Sequence, residues 1–372
     1  MIPLSRVALD GEVEAAALRA LRSGRYILGA ECRAFEAELA EYVGVGHAVL
    51  VASGTAALAI VLRALELPPG GEVLVPALTA FPTVEAILRA GGRPVFVDVD
   101  ETGTMDPADA ARKITARTAG LLPVHLYGHP ADLDRLGELA GAHGIWLVED
   151  ACQAHGAAYR GQRVGGIGRA GCFSFYPSKN LTVLGDGGAI TTGDGELAAR
   201  CRRLRDHGRV SKDVHQELGD NLRFNEIQAA IGRVLLGRLE AGNARRRSLA
   251  CRYAAALAGV PVGLPPEAGW ATPVYHLYVI RTARRDALRA YLRERGIETG
   301  VHYPVPGHQQ PAVAHLPPVC LPRTERFARE VLSLPMFPAL DDGAVDQVAG
   351  AVRTFWAAAG AGAAGDRARR SA

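Results

Sequence analysis

The sequence predicts an α/β protein, with a large domain on a mainly parallel, mixed sheet and a smaller C-terminal α+β domain. Three observations carry that prediction. Short apolar runs alternate with amphipathic helical stretches between residues 48 and 210, the pattern of a parallel sheet covered by helices on both faces. A Pro-rich segment, 260–273, then interrupts the chain before a strand–helix–strand pattern resumes. Finally, 48% hydrophobic and 22% charged residues in a chain of 372 provide for a sizeable core. Only 6% of residues are aromatic, so that core must be aliphatic.

In chain order, residues 48–52 (AVLVA) read as a buried strand and 54–67 as the helix that follows. Residues 72–75, 94–98, 121–124 and 146–149 repeat the strand signal, with amphipathic stretches such as 132–143 between them. Beyond Asp150 the rhythm changes. Residues 172–175 and 189–192 are short strands joined by a Gly-rich turn, which predicts the mixed part of the sheet. A long helical stretch covers 225–257. The smaller domain then contains a strand at 275–280, a helix at 284–295, a strand at 298–302 and two closing helices. These boundaries divide the chain into a large domain at 1–245, N-terminal segment included, a small domain at 246–358 and a disordered tail at 359–372.

The 42 basic and 39 acidic residues are spread along the chain, which argues against a nucleic-acid binder. No apolar stretch approaches the ~18 residues of a membrane span, and no signal peptide is visible, so a cytoplasmic protein is expected. Six cysteines lie far apart without a C-x-x-C pair and read as reduced core residues. Only three basic residues are lysines: Lys113, Lys179 and Lys212. Lysine can lose its proton and act as a nucleophile, whereas arginine cannot.

Gly166, Gly168 and Gly171 form G-x-G-x-x-G, but the motif follows a polar loop and runs into a strand, so it is a turn and not a dinucleotide site. Residues 51–57 (VASGTAA) are a better anion site, since a buried strand ends and a helix begins at once; an ordinary Ser/Thr cap is the competing reading. Asp150 falls at the carboxyl end of the strand 146–149, where open α/β sheets place ligands, although it could simply cap the next turn. Lys179, in 173–180 (FSFYPSKN), lies just past a strand, while Lys113 and Lys212 look like solvated charges. The triple Arg245, Arg246 and Arg247 likewise reads as a solvated helix face. A phosphate cradle, a buried Asp and an isolated Lys at strand ends fit pyridoxal 5′-phosphate (PLP): helix N-terminus for phosphate, Asp for the pyridine nitrogen, Lys as the Schiff base.

Ordered blocks then carry a resemblance over nearly the whole chain. They are 23–29 (SGRYILG), 53–58 (SGTAAL), 123–128 (PVHLYG), 149–156 (EDACQAHG), 176–180 (YPSKN), 185–188 (GDGG), 219–223 (GDNLR), 302–304 (HYP) and 333–336 (SLPM). The chain resembles the DegT/DnrJ/StrS family of PLP-dependent sugar aminotransferases, which have PLP transferase fold type I. The resemblance implies Lys179 as the Schiff-base lysine and Asp150 as the partner of the pyridine nitrogen. It implies Gln153 beside the phenolic oxygen, Gly54, Thr55 and Ser174 as phosphate contacts, and Asn221 as a phosphate contact across a homodimer with shared active sites. Tyr26, Tyr176, Lys212, His302 and Tyr303 match positions near the sugar nucleotide, and Arg223 is a partner for a carboxylate or phosphate or else a helix-surface arginine. The implied activity moves an amino group from an amino acid, glutamate, to a nucleotide-linked (dTDP-type) keto-deoxysugar. An aminocyclitol aminotransferase is the alternative. A PLP-dependent sugar dehydratase would replace Lys179 by histidine, and a non-catalytic regulatory homologue would be expected to lose Lys179 or Asp150. There is one departure: family members carry an aromatic after the threonine of the Pro-x-x-Thr block, and here Ala80 follows Thr79, with Phe81 one position later. Either Phe81 stacks on the ring through a shifted turn or smaller groups cover it.

Overall fold

The computed structural model describes residues 1–370, with side chains through residue 358. The tail expected over 359–372 lies outside the residues described with their side chains. Helices α1 (Gly11–Arg22) and α2 (Ala30–Val43) precede strand β1 (His47–Val51). Strand and helix then alternate through α3 (Gly54–Ala64), β2 (Glu72–Pro76), α4 (Phe81–Arg89) and β3 (Arg93–Val97). The alternation continues with α5 (Pro107–Lys113), β4 (Thr118–Leu121), α6 (Leu133–His143) and β5 (Trp146–Asp150). A small hairpin, β6 (Ala158–Tyr159) and β7 (Gln162–Arg163), leads to β8 (Ala170–Ser174), β9 (Gly188–Thr192) and α7 (Gly195–Leu204). The main sheet has seven strands in the order β1-β9-β8-β5-β4-β2-β3. Strand β9 runs antiparallel to both neighbours and every other pair is parallel, so the sheet is mixed but mainly parallel.

Burial on both faces explains the apolar runs. Leu50 and Leu74 join one core cluster with Phe35 and Phe173, while Val49, Val51, Val73 and Val75 face the other, as the alternation of strand side chains requires. The strand expected at 121–124 ends at Leu121, because Pro123 has no N–H for a ladder. Its continuation, Val124, pairs with Asp150 as an isolated bridge.

The helical stretch expected over 225–257 is two helices, α8 (Glu226–Gly237) and α9 (Leu239–Ala256), which meet at Arg238 just after a weakly helix-forming glycine. Strand β10 (Ala271–Thr272) joins the β6–β7 hairpin, and β11 (Tyr278–Arg281) precedes α10 (Arg285–Glu294). Helix α11 (Pro322–Glu330), strand β12 (Val331–Leu334) and α12 (Asp342–Arg370) close the chain, with β12 antiparallel to β11. The strand expected at 298–302 is reduced to a bridge between Gly300 and Ser333; Pro304 and Pro306 remove the donors that would extend it. A third core cluster, with Tyr253, Tyr278, Leu292 and Phe355, holds this smaller unit together. The N-terminal residues, expected with the larger unit, pair with the smaller one: Ile2 bridges Ile297, and Met336 N–H donates to Leu4 O at 3.1 Å.

Three side-chain expectations change. Arg246 is not on a solvated face but is 5% exposed. Cys251 and Cys320 are exposed rather than core residues, because each falls on an outward-facing position. Lys113 is no free solvated charge, since its Nζ donates to Asp109 Oδ2 and to Phe96 O. No helix among the described residues is long and apolar enough to cross a membrane.

Candidate active site

The functional side chains sit at the carboxyl ends of β1, β5 and β8. After β1, Ser53 caps α3 by accepting the Ala56 N–H at 3.1 Å. The backbone N–H groups of Gly54 and Thr55 are left without an acceptor among the described residues, at the positive end of the helix dipole. Glycine is required at 54 by close approach. A Cβ there would lie 2.7 Å from Ser174 Cβ and 2.9 Å from Cys152 Sγ. That contact brings the helix start, the end of β8 and the turn after β5 to one place.

Asp150 closes β5 and is 3% exposed. Its Oδ1 accepts the Cys152 N–H at 3.1 Å and its Oδ2 accepts the Thr83 hydroxyl at 2.8 Å. Thr83 has one O–H, committed to Asp150, so Thr79 donates in the 2.9 Å contact between the two hydroxyls. A buried carboxylate held by neutral donors alone is incompletely compensated and favours a cationic partner.

Lys179 follows β8 in a tight turn, its N–H donating to Tyr176 O at 2.8 Å. Burial pushes its amine below the usual lysine range, against the pull of Cys152 and Asp150. No partner for its Nζ is found among the described residues, so the amine is available as a nucleophile. Burial, reinforced by Lys179, also pushes His276 and His302 below the usual histidine range, which keeps both neutral. The Gln153 amide is fixed from both ends. Tyr127 N–H donates to its Oε1 at 2.8 Å, and its Nε2 donates to the Tyr303 hydroxyl at 3.1 Å. The Tyr127 hydroxyl in turn donates to His302 O.

One cavity of about 350 Å³ is lined by Gly54, Thr55, Asp150, Gln153, Ser174, Tyr176, Lys179, His302 and Tyr303. Tyr26, Lys212, Asn221 and Arg223 do not line it. Tyr26 and Lys212 are exposed, and Arg223 donates to Asn221 Oδ1 at 3.0 Å and to Asp206 Oδ1 at 3.2 Å. Phe81 opens α4 and packs against the core, while Ala80 and Pro82 line the cavity, so small groups face it where an aromatic was sought. Sequence reading missed Thr83, His276 and the arm residues Leu4 and Ser5, which also line the cavity. Thr83 was findable, because four residues from Thr79 on a helix start puts both hydroxyls on one side. Leu4 and Ser5 were not, since only the packing of the N-terminus brings them there.

The donor set fits PLP. Free N–H groups and the Ser174 hydroxyl suit a phosphate, Asp150 a protonated ring nitrogen, and the unpartnered Lys179 a covalent link. Fold and site together define a PLP-dependent enzyme of the aminotransferase fold. The chain belongs to the DegT/DnrJ/EryC1/StrS aminotransferase family, which it matches over residues 8–353. A dTDP-3-amino-3,4,6-trideoxy-α-D-glucose transaminase of Streptomyces venezuelae is 51% identical over 351 residues, 93% of each chain. A UDP-N-acetyl-3-dehydro-α-D-glucosamine 3-aminotransferase of Acidithiobacillus ferrooxidans is 45% identical over 90% of each chain. Among solved structures, S. venezuelae DesV, crystallised in complex with a ketimine intermediate, superposes with a TM-score of 0.93 at 49% identity. That match covers 95% of this chain and 98% of DesV. The protein is a PLP-dependent aminotransferase.

Proposed function

We propose that this aminotransferase uses glutamate to aminate C3 of a dTDP-linked 3-keto-deoxysugar. The observation that carries the reaction is the meeting of Lys179, Asp150 and the open N-terminus of α3 in one cavity. The sugar follows from the relatives: the product named for the S. venezuelae transaminase bears its amino group at C3, so its precursor is the ketone at that carbon. Bound PLP supplies an electrophilic carbon and an electron sink for the carbon that loses its proton. Lys179 Nζ would anchor the cofactor and, once the amino donor displaces it, serve as the base that takes the donor's α-proton and the acid that gives it back on the far side of the shared nitrogen. The Asp150 carboxylate would hold a proton on the ring nitrogen, and the Thr83 hydroxyl, donating to its Oδ2, orients that carboxylate. Gly54, Thr55 and Ser174 grip the phosphate, and Gln153 sits beside the phenolic oxygen. Tyr176, His302 and Tyr303 line the mouth where the keto-sugar enters.

The reading includes a cytoplasmic homodimer, with a large domain running to residue 245, its N-terminal arm laid on a small domain at 246–358. Asn221, outside the cavity of its own chain, serves the phosphate of the other chain, and Tyr26, Lys212 and Arg223 its sugar nucleotide. Mixing Lys179→Ala chains with chains altered at Asn221 and Arg223 tests this sharing: heterodimers should regain up to half the native activity. The sugar is tested by offering the pyridoxamine-loaded enzyme dTDP- and UDP-linked 3-keto sugars. Turnover of the dTDP sugar with at least tenfold preference is expected. Preference for the UDP sugar, as the A. ferrooxidans relative's name would suggest, overturns the assignment.

A further inference from the structure

A second cavity, of about 380 Å³, adjoins the first and shares Ser5, Ser178 and Lys179 with it. Arg6, Arg238, Arg245 and Arg246 line it, and no carboxylate does. Two of these arginines are already neutralised, Arg238 by Asp10 and Glu12 and Arg245 by Asp342. Arg6, on the arm that crosses the cavity, has no ion-pair partner among the described residues.

Arg246 is the informative one. It is 5% exposed, and its Nη1 donates to three carbonyls: Tyr275 O at 3.0 Å, His276 O at 3.2 Å and Met336 O at 3.1 Å. Its Nε and Nη2 have no partner among the described residues, and neither is among the sealed, unpartnered atoms of the interior. No carboxylate among the described residues pairs with it, and burial alone pushes its pKa down to about 10, so it remains charged at neutral pH. A guanidinium taken from water without a counter-charge is unfavourable, and its planar, unfilled edge matches a carboxylate in a two-point contact.

We propose that this second cavity binds a carboxylate of the amino-acid donor, and of the 2-oxo acid it becomes, on the free edge of Arg246, with Arg6 closing the site from the N-terminal arm. The cavity has the volume for a small amino acid and reaches Lys179, whose amine must meet the α-proton. This rests on transamination at Lys179 and not on the identity of the sugar.

The test uses the holoenzyme and no sugar. Conversion by L-glutamate is followed through the cofactor's visible band, and 2-oxoglutarate binding is measured by calorimetry. Arg246→Lys should raise both the half-saturating glutamate concentration and the 2-oxoglutarate Kd about tenfold, and Arg6→Gln about threefold. The keto-sugar half-reaction of the pyridoxamine-loaded variants should stay within about twofold of native. Native glutamate and 2-oxoglutarate affinity in a folded Arg246→Lys protein overturns the proposal, as does an equal loss in both half-reactions. Should Arg246→Lys fail to fold, Arg6→Gln decides, and native glutamate affinity in it overturns the proposal. Calorimetry with inorganic phosphate separates the other anion: phosphate binding tighter than 2-oxoglutarate, and weakened by the same variants, assigns the cavity to a phosphoryl group and overturns the carboxylate.

Discussion

Glu149 and Asp150 are consecutive residues of β5, 0% and 3% exposed, yet they are held in opposite ways. Glu149 is saturated. His125 Nε2 lies 3.0 Å from its Oε2, which also accepts the Gly165 N–H at 2.7 Å. Its Oε1 accepts the N–H groups of Ile167 and Gly168 at 2.8 and 2.7 Å. His125 Nδ1 accepts the Ala131 N–H, which fixes Nε2 as the protonated nitrogen facing Glu149. Asp150, pointing the other way along the strand, has two neutral donors and faces the cavity. The G-x-G-x-x-G turn is therefore a true anion cradle, but the anion is the protein's own carboxylate. The cradle at Gly54 and Thr55 is left open. Two glycine-containing turns with similar backbone chemistry thus divide into a structural and a ligand-binding one by whether the chain supplies the anion.

Four substitutions sharpen or break that contrast. Lys179→Ala removes the nucleophile on the open side, so the glutamate half-reaction should fall by about 10⁵-fold or more while the fold persists. Borohydride reduction and mass spectrometry should find no cofactor attached to the chain; attachment at Lys113 or Lys212 would break the assignment.

Asp150→Asn should lower the same rate by about 10²- to 10⁴-fold with the cofactor retained, because an amide cannot balance a protonated ring nitrogen. Its thermal stability should stay near native, which a calorimetric scan checks. A large stability loss would erase the distinction from Glu149.

Glu149→Gln should show the reverse, destabilising the protein by about 3 kcal/mol, because one carboxylate oxygen becomes an NH2 that cannot accept the donors facing it and leaves them buried and unpaired. Burial works to raise the Glu149 pKa, but His125 and the N–H groups of Gly165 and Gly168 outweigh it and hold the carboxyl below its ordinary 4.5. Its stabilising contribution is therefore complete above pH 4.5 and lost as the pH falls through the depressed value. Denaturant titrations of both proteins should show the gap constant at neutral pH and closing below about 4.5.

Gly54→Ala should have the smallest effect. The new Cβ crowds Ser174 and Cys152, which should weaken PLP binding by the apoenzyme about tenfold and cost about 1–3 kcal/mol of stability. Unchanged cofactor affinity would mean that the phosphate is held elsewhere.

The sequence by itself determined the alternation of strands and helices, the mixed sheet, the family and the nine cavity residues from Gly54 to Tyr303. These are local signals: apolar period, caps, glycine turns and ordered motif blocks, each carried by neighbours in the chain. Only the tertiary structure decided the partners of buried charges, because those come from residues far apart in sequence. Glu149 finds its donors 16 to 19 residues on, and Thr83 reaches Asp150 across 67 residues. Arg246 looked solvated in its run of three arginines, and it is buried because three carbonyls up to 90 residues away close over one edge of it. Asn221 and Arg223 fall outside the cavity of their own chain, a placement the family resemblance implied for Asn221 and left open for Arg223.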